Sequence, residues 1–192
     1  MVAPAGAYDN GAEATPNPPE VRYGRGPAYD RLGRNEDSVE AYDRHIDIDP
    51  YSQDAWYNRG IVLNRMERFE EAVSSYDMAI AIQDDFASAY YNRGNAQANM
   101  GALDEAIESY KAVLDLEGPD AATYYNLALA YEEQERFDTA RTHYEKALDE
   151  ESTYPEAWYG LGCCFDAEDS HAEALECFRY ALTLNAKEPK FW

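Results

Sequence analysis

The sequence has few cysteines, few lysines and no long apolar run, and each shortage excludes a class of protein. Its three cysteines, Cys163, Cys164 and Cys177, cannot form a paired disulfide framework. No run of residues approaches the roughly 20 apolar residues that a membrane helix needs, and the N-terminus has no basic residue followed by an apolar segment. We therefore expect a soluble, cytoplasmic protein.

Basic residues are outnumbered, with 16 Lys and Arg against 38 Asp and Glu and a net charge of -22. Such a surface repels phosphates, which excludes nucleic acid as a ligand. The acidity is spread along the chain and arginine outnumbers lysine, a composition that resembles proteins of halophilic organisms, in whose molar salt charges are screened within about 3 Å. The alternative is an acidic surface that evolved to hold a basic partner.

Motifs that would support catalysis are also missing. The sequence contains no Gly-rich phosphate loop and no Ser/His/Asp arrangement, and its paired carboxylates have no nucleophile beside them. Cys163, Cys164, His171 and Cys177 suggest a metal site, but adjacent helical residues point about 100° apart. We predict that the chain is not an enzyme and has neither a cofactor nor a metal site.

What the sequence does contain is one short segment that recurs every 34 residues. A period of this length predicts that one supersecondary unit is stacked several times. The four copies are Trp56-Tyr57-Asn58-Arg59-Gly60, Tyr90-Tyr91-Asn92-Arg93-Gly94, Tyr124-Tyr125-Asn126-Leu127-Ala128 and Trp158-Tyr159-Gly160-Leu161-Gly162.

Each unit has the pattern of two antiparallel helices. In the unit at 53–86, apolar and small residues recur at helical spacing on either side of a break near Glu67-Arg68, which is too short for any other arrangement. Gly60 and Ala72 are the small residues that would let the two helix axes approach to roughly 8 Å.

The period also divides the chain. Residues 1–18 are predicted to be disordered, and 19–52 to be a degenerate unit whose first helix is shortened by Pro27. Full units follow at 53–86, 87–120, 121–154 and 155–188. Residues 189–192 begin a further unit of a longer array, or Phe191 and Trp192 fold back as a makeshift cap.

The order of aromatic, Gly and Leu in the first helix and Ala, aromatic and Ala in the second resembles the tetratricopeptide repeat. The resemblance implies an all-α, right-handed superhelical solenoid of antiparallel helix pairs, whose first helices line a concave groove that binds peptides or partner helices. It also places Cys164 and His171 at core positions. Arg59 and Arg93 replace an apolar residue, and with acidic neighbours such as Asp54 and Asp77 we expect ion pairs between helices.

Groove residues follow by transfer of the family's positions, and two rows stand out among them. Tyrosines offer rigid contact area and carboxamides can satisfy a peptide backbone, although both rows could instead hold neighbouring repeats together. The predicted groove residues are Tyr57, Asn58, Ile61, Arg65, Tyr91, Asn92, Asn95, Asn99, Tyr125, Asn126, Leu129, Glu132, Glu133, Tyr159 and Asp166.

The carboxylates Glu132, Glu133 and Asp166 favour a neutral or basic protein partner over an anionic one. The predicted function is therefore a protein-interaction scaffold, either monomeric or a weak end-to-end dimer. Two alternatives stay open at this point. The chain could self-assemble through uncapped ends of the solenoid, or it could be the recruitment segment of a larger enzyme or sensor.

Overall fold

The structure is a computed structural model, and it describes residues 25–185. Those residues form ten helices and no strand, as the sequence predicts for an all-α fold. The predictions for residues 1–18 and 189–192 lie outside the described residues. The helices are α1 Arg25–Arg31, α2 Asn35–Ile46, α3 Gln53–Arg65, α4 Phe69–Ile82, α5 Ala87–Asn99, α6 Leu103–Glu117, α7 Ala121–Glu133, α8 Phe137–Glu150, α9 Pro155–Ala167 and α10 His171–Asn185.

The chain divides into two compact units, one up to Gln83 and the other from Asp84. In the first unit, α1 packs on α2 and α3 on α4, and α2 also packs on α3. In the second, the pairs are α5 with α6, α7 with α8 and α9 with α10, and α6 packs on α7 as α8 does on α9. Each unit is thus a stack of helix pairs. Helix α1 is described only from Arg25, so the shortening attributed to Pro27 stays a prediction.

The two helices of each pair are joined by a tight turn with the same backbone form. Its central residue has a positive φ in every pair: 69° at Gly33, 59° at Glu67, 74° at Gly101, 58° at Glu135 and 59° at Asp169. The following N–H donates to a carbonyl five residues back, as Arg68 N does to Leu63 O at 3.0 Å. This hydrogen bond is part of the Schellman motif that ends a helix. A three-residue turn of this kind leaves the second helix antiparallel to the first.

A glycine of the first helix lies against an aromatic ring of the second in most pairs. A Cβ added to Gly60 would lie 2.6 Å from the ring of Tyr76, and one added to Gly94 would lie 2.7 Å from the ring of Tyr110. Both rings are buried. The sequence predicts a close approach of the helices at Gly60 and Ala72, and the side chain that lies against Gly60 is that of Tyr76. The glycine is needed because the ring occupies the space of a side chain.

One pair departs from this arrangement. In α7 the glycine is replaced by Ala128, and the ring of Tyr144 lies instead against Gly160 of α9, so close that any Cβ there would overlap it. Gly160 is the residue that interrupts the asparagine row of the sequence. The interruption therefore has a structural reason. The ring of Tyr144 lies against the first helix of the next pair, at Gly160, instead of the first helix of its own pair.

We expect Gly160→Asn, which restores the row, to destabilise the protein by about 1–3 kcal/mol, because it overpacks the Tyr144 site. Ala128→Gly alone should cost about 1 kcal/mol through its lower helix propensity. In the double variant Tyr144 can move towards α7, as Tyr110 lies over Gly94, so the losses should fall well below their sum. Urea unfolding of the three variants measures this coupling; strictly additive losses would contradict it.

Candidate peptide-binding surface

The predicted groove residues lie on the first helices of the pairs. Tyr57, Asn58, Ile61 and Arg65 lie on α3 in the first unit. The others belong to α5, α7 and α9 of the second unit, and we call their exposed side the first-helix face of that unit. Its residues are Tyr91, Asn92, Asn95, Asn99, Tyr125, Asn126, Leu129, Glu132, Glu133, Tyr159 and Asp166.

Each tyrosine of the row packs on the aromatic ring that holds its own pair together. The ring centroids are 6.0 Å apart for Tyr91 and Tyr110, 5.9 Å for Tyr125 and Tyr144, and 5.4 Å for Tyr159 and Phe178. Tyr57 makes the same contact with Tyr76 in the first unit, at 6.0 Å. The tyrosine row is therefore an extension of the core, with one side of each ring fixed by the fold.

The asparagine row is engaged within the protein as well. The Nδ2 of Asn58 donates to Asp54 O at 2.7 Å, and that of Asn92 donates to Ser88 O at 3.1 Å, both within one helix. Asn126 differs, because its Nδ2 donates to the hydroxyl of Tyr91 at 2.8 Å and so connects α7 with α5. The asparagine row therefore has a structural role, while contact with a ligand backbone stays a prediction.

The hydroxyls of the core tyrosines also reach predicted groove residues. Tyr110 donates to Asn95 Oδ1 at 2.8 Å, and Tyr144 donates to the Glu132 carboxylate. Burial raises the pKa of both tyrosines, and the negative charge of Glu132 raises that of Tyr144 further. Asn95 and Glu132 therefore fix core tyrosines, which limits what they offer to a ligand.

Tyr76 has no such partner among the described residues. Ile61 occupies the repeat position that Asn95 occupies 34 residues later, and its side chain offers no hydrogen-bond acceptor. The buried Tyr76 hydroxyl is therefore left without a hydrogen bond. The Oδ1 of Asn64, also on α3, has no hydrogen bond either. Burial also raises the pKa of Tyr76. The hydroxyl at this core position is therefore satisfied in Tyr110 and Tyr144 and unsatisfied in Tyr76.

Apart from Asn99, the residues that remain exposed on the first-helix face are apolar or acidic. Leu129 on α7 is 41% exposed and Tyr159 on α9 is 62% exposed, and Glu133, one turn beyond Leu129, is also exposed. Asp166 is exposed and accepts from His171 at 2.8 Å. In the first unit Arg65 pairs with Asp30. An apolar surface with carboxylates beside it is therefore the chemistry that this face presents.

The histidine and cysteine positions only partly match the sequence analysis. Cys164 is buried as expected, and burial raises its pKa to about 12, which makes it an inert thiol at neutral pH. His171 is exposed rather than in the core, and its Nδ1 is hydrogen-bonded to the Asp166 carboxylate at 2.8 Å. Between residues 25 and 185, no three His, Cys, Asp or Glu side chains are arranged to hold a metal ion.

The two arginines of the repeated segment are held inside their units. Arg59 pairs with Asp43 of α2 at 2.6 Å and donates to Ser75 Oγ of α4 at 2.7 Å. Arg93 Nε donates to Ser109 Oγ at 3.0 Å. An ion pair between helices is therefore present at Arg59, but with Asp43 as its partner, an acidic residue that the sequence analysis did not name.

The lengths and compositions of the helices can be compared with the requirements of a membrane span. Among the described helices, none combines the length and the apolar character required to cross a membrane.

Comparison with known families supports the assignment of the repeat. One sequence model of the tetratricopeptide repeat matches residues 5–53 and 125–189, which together make up more than half of the chain. A second model matches residues 85–149. A TPR-repeat model matches residues 63–101. Curated proteins show no significant sequence match.

Solved structures share the fold at low sequence identity. A MamA crystal structure is 22% identical with a TM-score of 0.84, and it covers 90% of this chain and 94% of its own. MamA from Desulfovibrio magneticus RS-1 is 21% identical with a TM-score of 0.86, covering 92% and 100%. YrrB, a TPR protein with an unusual peptide-binding site, is 16% identical with a TM-score of 0.76, covering 87% and 86%. The TPR-like solenoid fold predicted from the sequence is thereby confirmed.

We expect Tyr76→Phe to leave the free energy of unfolding unchanged or to raise it, because the hydroxyl it removes is buried without a partner. Tyr110→Phe should lower it by about 1 kcal/mol or more, since it breaks a hydrogen bond and leaves Asn95 Oδ1 without its donor. The two rings occupy equivalent positions, so each variant is the control for the other. Urea unfolding tests the order, and a greater loss in Tyr76→Phe would contradict it.

Proposed function

The chain belongs to the tetratricopeptide repeat family, and on that premise we propose that it is a non-enzymatic scaffold whose first-helix face in the second unit binds a segment of a partner protein. The observation that carries the proposal is the pair of exposed apolar side chains on neighbouring first helices, Leu129 on α7 and Tyr159 on α9. Apolar side chains exposed on adjacent helices of a folded surface are typical of interaction sites.

The charges of this face select the partner's chemistry. Glu132 and Glu133 lie beside Leu129 on α7, and Glu156 and Asp166 lie on α9 with Tyr159. Together with the net charge of -22 they attract a neutral or basic segment and repel an anionic one. If the protein works in concentrated salt, as its composition suggests, screening within about 3 Å leaves Leu129 and Tyr159 to supply the affinity.

The rigid part of the face supports the same mechanism. The tyrosines are fixed on core rings and Asn126 is bound to Tyr91, so the surface is formed before a ligand arrives. A preformed surface loses little conformational entropy on binding. The peptide-binding site of YrrB, a protein of similar fold, is consistent with this use of a repeat surface.

Two amphipathic helical peptides of equal length, one of Leu and Lys and one of Leu and Glu, test the proposal by fluorescence anisotropy. We expect the Leu/Lys peptide to bind and the Leu/Glu peptide not to bind. Leu129→Asp and Glu133→Lys should each weaken binding of the Leu/Lys peptide by about tenfold, a loss of about 1.4 kcal/mol. Leu129→Asp removes the apolar contact, and Glu133→Lys reverses the charge.

The control variants lie on α6, a second helix. The exposed fraction of Leu116 is 43%, similar to the 41% of Leu129. The adjacent Glu117 is an exposed carboxylate like Glu133. Leu116→Asp and Glu117→Lys repeat the same changes of charge away from the first-helix face, and both should bind as the parent does. A loss in Glu117→Lys equal to that in Glu133→Lys would show attraction to net charge alone, and a loss in Leu116→Asp equal to that in Leu129→Asp would show that the apolar contact is not specific to this face. Either result would reject the proposal.

A further inference from the structure

The second unit has an open cavity between its first-helix face and α10. The cavity measures about 330 Å³, at the lower end of the range for ligand pockets, so it suits a single side chain better than a cofactor. The rings of Tyr125, Tyr159 and Phe178 line it, and Leu182 adds aliphatic surface. Among the described residues that line it, Glu156 alone carries a charge. The cavity therefore combines three aromatic rings with one carboxylate.

The three rings are held in place by their packing. Tyr125 packs on Tyr144 and on Tyr154, with the ring centroids 5.9 Å and 4.9 Å apart. Tyr159 and Phe178 pack on each other, with centroids 5.4 Å apart and ring planes inclined by 44°. The faces of aromatic rings carry negative potential and attract cations. The lining of the cavity is therefore formed before a cation enters it.

The carboxylate of Glu156 adds a full negative charge at the same place. Burial raises the pKa of Tyr125 and of Tyr154, and the charge of Glu156 raises both further, so its field reaches a ring of the cavity. The equivalent positions on α5 and α7 hold Ser88 and Ala122, so the repeat itself does not require a carboxylate there. A cation that enters the cavity meets both the rings and this carboxylate.

We propose that the cavity binds a basic side chain, lysine or arginine, of the partner segment, with the cationic group among the three aromatic rings and beside the Glu156 carboxylate. The methylene groups of such a side chain contact Leu182, since long basic side chains commonly lie along apolar surface. This inference rests on the proposed function, because Tyr159 belongs both to the cavity and to the exposed apolar pair. It assigns one side chain of the partner, whereas net charge favours a basic partner only in general.

Two single-residue probes test this by NMR titration of the ring resonances of Tyr159 and Phe178. Nα-acetyl-lysinamide carries an ammonium group, and Nα-acetyl-norleucinamide has the same aliphatic stem without it. We expect the lysine probe to bind with an affinity about fivefold higher than that of the norleucine probe, because it adds a cation–π contact and a weak ion pair.

Three variants identify the groups that select the cation. Glu156→Ala, which introduces the residue that α7 has at this position, should weaken binding of the lysine probe about threefold and leave the norleucine probe unchanged. Tyr159→Leu keeps an apolar contact and removes one ring, so it should weaken the lysine probe more than the norleucine probe. Glu173→Ala is the matched control, because it removes an exposed carboxylate of α10 that does not line the cavity, and it should bind both probes as the parent does.

Equal affinity for the two probes in the parent, or no shift with either, would overturn the inference, and this comparison needs no variant to fold. Equal losses of lysine binding in Glu156→Ala and Glu173→Ala would show attraction to net charge and would also overturn it. The probes are single residues, so their binding does not require that the first-helix face hold a segment. Selective lysine binding with failure of the Leu/Lys peptide would reject the proposed function alone, whereas peptide binding without selective lysine binding would reject this inference alone.

Discussion

Most helix pairs depend on one aromatic ring of the second helix that occupies the space of a missing side chain on the first. Tyr76 over Gly60 and Tyr110 over Gly94 bring the first helix within contact of the second, and both rings are buried. Because a ring fills more volume than any aliphatic side chain, the distance between the helices is set by the ring and the glycine together. Where the glycine is absent, at Ala128, the ring of Tyr144 is accommodated by Gly160 of the next pair.

The same rings connect the core to the first-helix face. The tyrosine row of the first helices packs on them, and the hydroxyls of Tyr110 and Tyr144 hold Asn95 and Glu132. Core and surface are therefore not independent. A residue on the first-helix face can serve the stability of its helix pair, the binding of a ligand, or both. What is left for recognition alone is the exposed remainder, chiefly Leu129, Glu133 and Tyr159.

The period of the sequence was enough to predict the helices, their pairing and the turns, because these follow from local spacing. Details that depend on the identity of one further side chain could not be predicted from the period. The hydroxyl partner of Tyr144 depends on which side chain occupies a position twelve residues earlier, and the left-handed turn residue is a glycine at Gly101 but an acid at Glu67 and Asp169. The resemblance to the repeat implies a core position for His171, whereas its side chain is exposed.

Departures from the repeat occur in compensating pairs, and this bears on where specificity lies. Arg59 and Arg93 each donate to a buried serine, Ser75 and Ser109, whereas Leu127 is matched by His143, whose ring packs on Tyr131 and whose pKa is lowered by burial. Compensation inside the pairs keeps the backbone of every repeat alike, so the exposed first-helix positions are free to vary without cost to the fold. Leu129 and Glu133 of α7 are such positions, so under the proposed function differences there would change what the surface binds without changing how it is built.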